Sequence, residues 1–494
     1  MRVKRRIHHP IRIGIAGFGL VILAIAIARY HRPPVTPLSP PSPAARPGGQ
    51  TWFGIYYKGH KIGYTLRKIE QNLPGGNVYL TDRSRLLFQL QGERRRIETR
   101  LDAVLGPAFT LRHFVFRFHS HSARYEMEGE VFGRRIDLEI SSAGEIRRER
   151  IHLSKEPVLL WNLAPYVATR DLSAGKRYTF SLFDPLVLGT SEITVSVVGK
   201  EMIRTPQGSM AATRLDISYE KATVSSWITA EGGIVREESP LGIVMVREDE
   251  AHARTGFSTE SVDLLLETSV PLSRPIPDDG ERVVLRLGGV SLEGFTLTDD
   301  RQRWAPPFLT LVRQHLPATP PYLLPATGDE KLAPFLAEER LVQVRHPKIV
   351  ARAREIVGTD RDPRHAARRL LEWVFRHVEK SSTVSVPSAL EVLENLEGDC
   401  NEHTVLYTAL ARAVGIPTRI DVGMVAIGKK LFYHAWPSVH LGEWIAVDPT
   451  LGQFPASLGH IRFLSGSLAQ QTEIMKLVGR LEVEIVGLDT RGEE

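Results

Sequence analysis

Between Trp52 and Arg254 the chain repeats one pattern about eleven times: a β-branched or alternating run closed by Gly, Asn or Asp. TLRHFVFRFHS, ARYEMEGEVFG, RRIDLEISSAG and SEITVSVVG are examples. Side chains alternate between the two faces of a strand, so such runs read as half-buried β-strands. Helical spacing is scarce here, with one short helix expected within Glu156–Thr169. So many consecutive strands bury their apolar faces most simply in one large antiparallel β-rich domain, placed at 51–265. A second β segment, RVVLRLGGVSLEGFTLT, follows a Pro-rich joint at Pro271–Pro277, and with its connector it occupies 266–320. No fixed-period internal repeat is visible.

The period changes after about Pro320. In DPRHAARRLLEWVFRHVEK, Ala366, Ala367, Leu370, Leu371, Val374, Phe375 and Val378 share one helical face, with Asp362 as N-cap and Pro363 in the first turn. A short helix opens at Ser388 and stops at Gly398. Another runs on from Cys400, with Val405, Leu406, Ala409, Leu410, Ala413 and Val414 on one face and Gly415 closing it. The strands TRIDVGMVAIG, KLFYHAWPSVHL and EWIAVDPT follow. The C-terminal unit is therefore α+β and spans 321–494, with its core at 340–460.

Composition excludes several classes. With 494 residues, 42% hydrophobic and 24% charged, the chain is neither disordered, collagenous nor a polytopic membrane protein. The formal charge of +6 would suit a nucleic-acid partner. Eight of the 63 basic residues, however, fall in the first fifty positions, where there is no Asp or Glu. The rest of the chain sets 55 basic against 57 acidic groups, a net of −2, so no nucleic-acid partner is expected.

The N-terminal charge surrounds Ile13–Ala28, sixteen consecutive uncharged residues. Flanking arginines that snorkel, and Tyr30 at the interface, extend this segment toward bilayer length. It reads as a transmembrane anchor at 13–28 behind a basic cytoplasmic tail at 1–12, the positive end staying inside. Ala26-Ile27-Ala28 keeps a cleaved signal segment open as the alternative. A Pro-rich linker at 29–50 follows, with seven prolines among the fifteen residues from Pro33 to Pro47. The body is then expected outside the cytoplasmic membrane, in the periplasm where the cell has one.

The chemistry gathers around the single cysteine, Cys400, which rules out an internal disulfide or a Cys-rich zinc site. A lone cysteine is commonly a small buried hydrophobe. Cys400, though, sits in a polar Gly-Asp-Cys-Asn-Glu turn at a helix start, where the helix end favours thiolate. His434 follows on a strand within Tyr433-His434-Ala435-Trp436, and Asp448 ends the next strand in Val447-Asp448-Pro449-Thr450. A helix followed by neighbouring strands can bring nucleophile, base and orienting acid within hydrogen-bond reach. His403 and His440 read as packing or capping residues, and Trp373, Trp436 and Trp444 as packing residues. His119 and His121 lack a third ligand at a telling spacing, so no metal and no cofactor are expected.

The segments GDCNEHTVLYTALARAVGIPTR, YHAWPSVHLGEW and VDPT resemble the transglutaminase-like superfamily, the bacterial branch with a permuted papain-type core. The resemblance places the nucleophile on Cys400, the base on His434 and the orienting acid on Asp448. It implies a thiol enzyme acting on amide or peptide bonds of a protein or peptide substrate through a thioester. Water would complete hydrolysis and an amine cross-linking; the triad does not choose between them, and hydrolysis is the expectation because water is always present and no amine pocket is readable in the sequence. The β-rich half looks like an accessory region of envelope members, with no readable ligand. The alternative is a non-catalytic envelope binding protein that uses the β-rich region and keeps the thiol fold as scaffold.

Overall fold

The structure is a computed structural model and describes residues 49–490 apart from 72, 91–92, 121–123, 143–144, 186–188, 220–221, 240–241, 258–262, 327–328, 382–387, 467–473 and 475–476. The expected tail, the apolar segment 13–28 and all but the end of the linker lie outside the described residues. Among the described residues no helix is long and apolar enough to cross a membrane.

The alternating runs form an antiparallel meander in which each strand pairs with the next, from Gly49–Tyr57 to Glu145–His152. A second meander runs from Arg177–Asp184 to Ile243–Glu248. Its last strand returns to pair with the first, Trp52 opposite Glu248 and Tyr57 opposite Ile243. Both thus belong to one fifteen-stranded sheet, whose edge strand Pro157–Val158 joins parallel to Arg177–Asp184. Burial follows the alternation: Tyr125 and Met127 are covered while Glu126, Glu128 and Glu130 are exposed. Gly129, opposite Phe114, is required by packing, since a Cβ there would stand 2.2 Å from the Phe114 ring.

The expected helix within 156–169 is shorter, Leu160–Ala168, because Pro157–Val158 pairs as a strand. Asn162 anchors it: its Oδ1 accepts from the Leu159 N–H at 2.7 Å, and its Nδ2 donates to the Phe109 carbonyl at 2.8 Å. Leu163 and Val167 of this helix enter the core of the large sheet.

A second core gathers most of the buried apolar side chains after about Val270. The strands Gly280–Gly288, Gln302–Ala305 and Phe308–Val312 form a four-stranded sheet with Glu482–Thr490, near the end of the chain. Segment 266–320 therefore shares its core with the C-terminal helices and strands; Val283 and Leu311 belong to the same cluster as Leu370, Leu406 and Val439.

The helices Pro347–Val357, Pro363–His377, Ala389–Asn395 and Cys400–Ala413 pack beside a five-stranded sheet. In Pro363–His377 the cap is as expected, with Asp362 Oδ1 accepting from the Arg364 N–H at 2.9 Å. The helix Cys400–Ala413 is buried on every side from Cys400 to Arg412, so no solvent face interrupts it. Some of its polar groups are met internally, Thr404 Oγ1 donating to the Ala435 carbonyl at 3.1 Å and Tyr407 Oη to that of Ala367 at 3.1 Å. The five-stranded sheet runs Val270–Pro271, Lys430–His440, Thr418–Ile427, His460–Gly466, with Trp444–Ala446 on the far side of Lys430–His440.

The strand Lys430–His440 is covered on both faces, so it lacks polar alternation. Leu431, Tyr433 and Ala435 enter the second core, while Phe432 on the opposite face enters the core of the large sheet. The strand carrying His434 thus joins the two halves. Arg147 Nη1 also links them, donating to the Arg340 carbonyl at 2.8 Å, and Arg340 Nε pairs with Glu149 at 2.9 Å.

Candidate active site

The chain enters the site through a turn that only a few residues permit. Leu396 adopts a left-handed conformation (φ 51°), and Glu397–Gly398 pairs parallel with Glu379–Lys380. A Cβ on Gly398 would stand 2.1 Å from the Glu402 Cβ, so glycine lets Glu402 fold back over the turn. There Glu402 Oε2 accepts from the Asp399 N–H at 2.9 Å, while Asp399 Oδ1 accepts from the Asn401 N–H at 2.8 Å. This reciprocal capping box starts the helix at Cys400. Both carboxyl groups are buried. Burial first, then the facing Glu402 carboxylate, raises the Asp399 pKa well above the usual range.

Cys400 is fully buried, and its Sγ receives the N–H of Ala435 at 3.4 Å. The preceding residue, His434, lies against Asp448, with Nε2 and Oδ2 2.7 Å apart. A carboxylate only accepts, so Nε2 of His434 carries a proton, and in the neutral ring Nδ1 is the nitrogen with the lone pair. That Nδ1 is buried and without a hydrogen-bond partner. Asp448 is fixed from its other oxygen: Oδ1 accepts from the N–H groups of Thr450 at 2.7 Å and Leu451 at 2.9 Å. Burial alone would raise the Asp448 pKa. The charge and hydrogen bond of His434, joined by His460, outweigh burial and hold it well below the usual carboxylate range. The strand before Asp448 ends earlier than expected, at Ala446, because Asp448 spends its own N–H and C=O on Gln453 in a tight turn. Cys400, His434 and Asp448 are thereby brought together from a helix, a strand and a turn.

Residues 350–449 match the family model of the transglutaminase-like superfamily. This segment is a transglutaminase-like core. Members of the superfamily are usually cysteine peptidases or acyltransferases. No curated protein matches the chain. Among solved structures, a candidate cysteine protease from Cytophaga hutchinsonii aligns with 43% of this chain and 87% of its own, at 17% identity and a TM-score of 0.28. A beta-barrel-like protein of a domain of unknown function from Brucella abortus aligns with 42% of this chain and 96% of its own, at 8% identity and a TM-score of 0.33.

Just beyond the transglutaminase-like segment lies one polar residue that sequence reasoning missed. His460, at the head of the strand His460–Gly466, brings its Nε2 to 2.9 Å from the same Asp448 Oδ2. Burial lowers its pKa, against the pull of Asp448, and so favours the neutral ring. Its Nε2–H donates to Asp448, which leaves Nδ1 to accept from Ser457 Oγ at 3.3 Å. No sequence motif marks it: it opens the mixed run HIRFLSG, and its partner Asp448 sits in the turn twelve residues earlier.

Trp436 closes one wall, its ring 6.0 Å from His434 in near-parallel stacking and edge-on to His460 at 5.1 Å. Gly423, opposite His434, admits this arrangement; a Cβ there would lie 1.9 Å from the Ile461 carbonyl oxygen and 2.9 Å from the Trp436 ring. The other singled-out residues are placed elsewhere. His403 turns back on its own helix, Nδ1 donating to the Asp399 carbonyl at 2.7 Å, and burial lowers its pKa. His440 packs against Trp444, and Trp373 stacks on His377 at 4.6 Å. His121 lies outside the described residues.

Donor atoms of His434, Asp448 and His460 fall within 4.8 Å of one another, a set that could serve a metal. Both imidazole Nε2 atoms, however, meet one carboxylate oxygen at hydrogen-bond distance, and two N–H donors use the lone pairs a metal would need. The arrangement is that of a hydrogen-bonded carboxylate.

Proposed function

We propose that this chain is a membrane-tethered thiol hydrolase of transglutaminase type, with Cys400 as nucleophile, His434 as base and Asp448 as orienting acid. The observation that carries this reading is the division of labour on His434: Nε2 is spent on Asp448, while Nδ1 is unpartnered on the residue next to the amide that touches Cys400 Sγ.

The reaction follows from these positions. His434 Nδ1 takes the Cys400 proton, and Sγ attacks an amide carbonyl carbon. The Cys400 N–H at the helix start is the donor we assign to the oxyanion. Collapse breaks the C–N bond, and Nδ1–H passes its proton to the departing amine. The remaining thioester is opened by water, whose proton returns through Nδ1 and whose oxygen enters the released acid. An amine in place of water would give a cross-link. Water is the acceptor assigned here, because it is always present and no amine pocket is readable among the described residues.

The Ile13–Ala28 segment is the proposed single-pass anchor, with the N-terminus inside and the body extracytoplasmic. Fractionation tests it: the full chain should stay with membranes after carbonate extraction, and a soluble full chain would overturn the anchor. For the chemistry, the full chain and Cys400→Ala are incubated with an amine donor and a peptide library. Ammonia release, cleavage and amine incorporation are then followed. Cysteine-dependent cleavage is expected to exceed incorporation. Identical behaviour of the two proteins in all three assays sinks the enzyme reading, and faster incorporation sinks the hydrolytic assignment.

A further inference from the structure

One ammonium stands at this site without an assigned task. Lys380 ends the short strand Glu379–Lys380, in register with Gly398, two residues before Cys400, and the next residue donates its N–H to the Gly398 carbonyl at 3.1 Å. Its Nζ lies 4.0 Å from the centroid of the Phe375 ring. That ring in turn faces Gly452, where an added Cβ would meet it at 2.9 Å, in the loop that follows Asp448. The Lys380 side chain is therefore held between the approach to the nucleophile and the turn that fixes the orienting acid. Its charge is felt at both Asp448 and His403.

Among the described residues no carboxylate forms an ion pair with Lys380, and residues 382–387, next in the chain, contain no Asp or Glu. Nearby, Lys348 pairs with Glu394, Arg376 with Glu372 and Arg412 with Glu339, while Arg368 lies over the Phe454 ring, 4.8 Å from its centroid. A half-buried ammonium seated on an aromatic face has lost part of its water and offers its remaining donors in a fixed place. The anion it feels is Asp448, whose oxygens are already taken by His434, His460 and two backbone N–H groups, and no carboxylate among the described residues stands at ion-pair distance from its Nζ.

We propose that Lys380 binds a carboxylate of the acyl-donor substrate, so that the preferred substrate is an acidic peptide with its carboxylate flanking the scissile amide. This rests on the reading of Cys400 as nucleophile. Lys380 acts as a binding residue, drawing the anionic group toward the Cys400 side of the site.

The single cysteine allows a test that needs no known substrate. The detergent-solubilised full chain and its Lys380→Met, Lys380→Glu and Lys380→Arg variants are alkylated with iodoacetate and with iodoacetamide, both in the second-order regime. The ratio of the two rates reports the local field for an incoming anion, and general changes in thiol reactivity cancel. The ratio should fall on the order of three- to tenfold in Lys380→Met, further in Lys380→Glu, and be kept in Lys380→Arg. A ratio constant within about twofold across all four proteins overturns the anion site while leaving the nucleophile reading intact. If neither reagent alkylates the wild type faster than a free cysteine peptide, the nucleophile reading itself fails, and the anion site with it. Paired peptides differing only by Glu or Gln beside the scissile amide give a second measurement. Lys380→Met should raise KM for the Glu peptide alone, and equal KM changes for both peptides would count against the proposal.

Discussion

Replacing Asp448 with asparagine is the sharpest perturbation of the site, because the surrounding donors dictate how the amide must sit. Oδ1 of Asp448 accepts two backbone N–H groups, from Thr450 and Leu451, and only the amide oxygen can take that place. The NH2 group is then forced toward His434 and His460, whose Nε2 atoms now donate at 2.7 and 2.9 Å. Both rings can answer by moving their proton to Nδ1 and accepting at Nε2. For His460 the move is easy, since Nδ1–H finds the Ser457 carbonyl 3.2 Å away. For His434 it places a proton on the nitrogen that should receive one from Cys400. The fold therefore survives, at a cost of about 2–4 kcal/mol for two charge-assisted hydrogen bonds made neutral. Catalysis does not: an imidazole held in the wrong tautomer loses roughly 10³–10⁴ in kcat. Cysteine-dependent peptide cleavage measures the rate, and urea unfolding together with near-ultraviolet circular dichroism checks the fold. An asparagine variant that stays folded and keeps kcat within about tenfold of wild type would refute the argument that Asp448 sets the His434 tautomer.

Other consequences are narrower. His460→Phe removes one of the donors that hold the Asp448 carboxyl ionised, so kcat should fall about tenfold or less, and the acid limb of the pH–rate profile should move upward; an unmoved limb would assign His460 to packing alone. Glu391 has its pKa raised to about 7, by burial first, with the carboxylates of Glu402 and Glu394 adding. An acid raised in the folded state favours folding while it is protonated there, and that contribution is lost as pH rises from the unfolded value toward 7. Glu391→Gln should accordingly stabilise the protein at pH 8 by up to about 3 kcal/mol and change little at pH 4, as read by urea denaturation at both values. Gly423→Ala should cost about 3 kcal/mol or more, because its methyl would strike the Ile461 carbonyl in the paired strand, with Tm as the readout. A chelator should leave cleavage unchanged, and its inhibition would restore the metal reading of His434, Asp448 and His460.

How much of this was legible in the chain depends on whether the relevant partner is local. Alternation within nine or so residues identifies the strand Arg124–Phe132 unaided, since its glutamates face water and its Tyr125 and Met127 do not. The cap at Asp362 is equally local, as is the turn before Cys400, where Gly398, Asp399 and Glu402 act within five residues. The strand Lys430–His440 shows the opposite condition. Its continuous buried run, 431–439, cannot reveal that Phe432 serves one core and Leu431 the other, because burial on both faces erases the alternation. His460 and the partnership of Gly280–Gly288 with Glu482–Thr490 were missed for the same reason: each depends on a tertiary contact that leaves no period behind. Of the groups meeting at Asp448, His434 was recognisable because its motif surrounds it, whereas His460 arrives on a neighbouring strand with no motif of its own. The strand it opens, HIRFLSG, also carries Arg462 and Ser465, so no pattern within the strand singles His460 out. Sheet order does not rescue it either: the buried carboxylate on the paired strand Thr418–Ile427 is Asp421, opposite Ser465, whereas Asp448 lies in a turn outside that strand pair, so the contact with His460 exists only once the turn is folded.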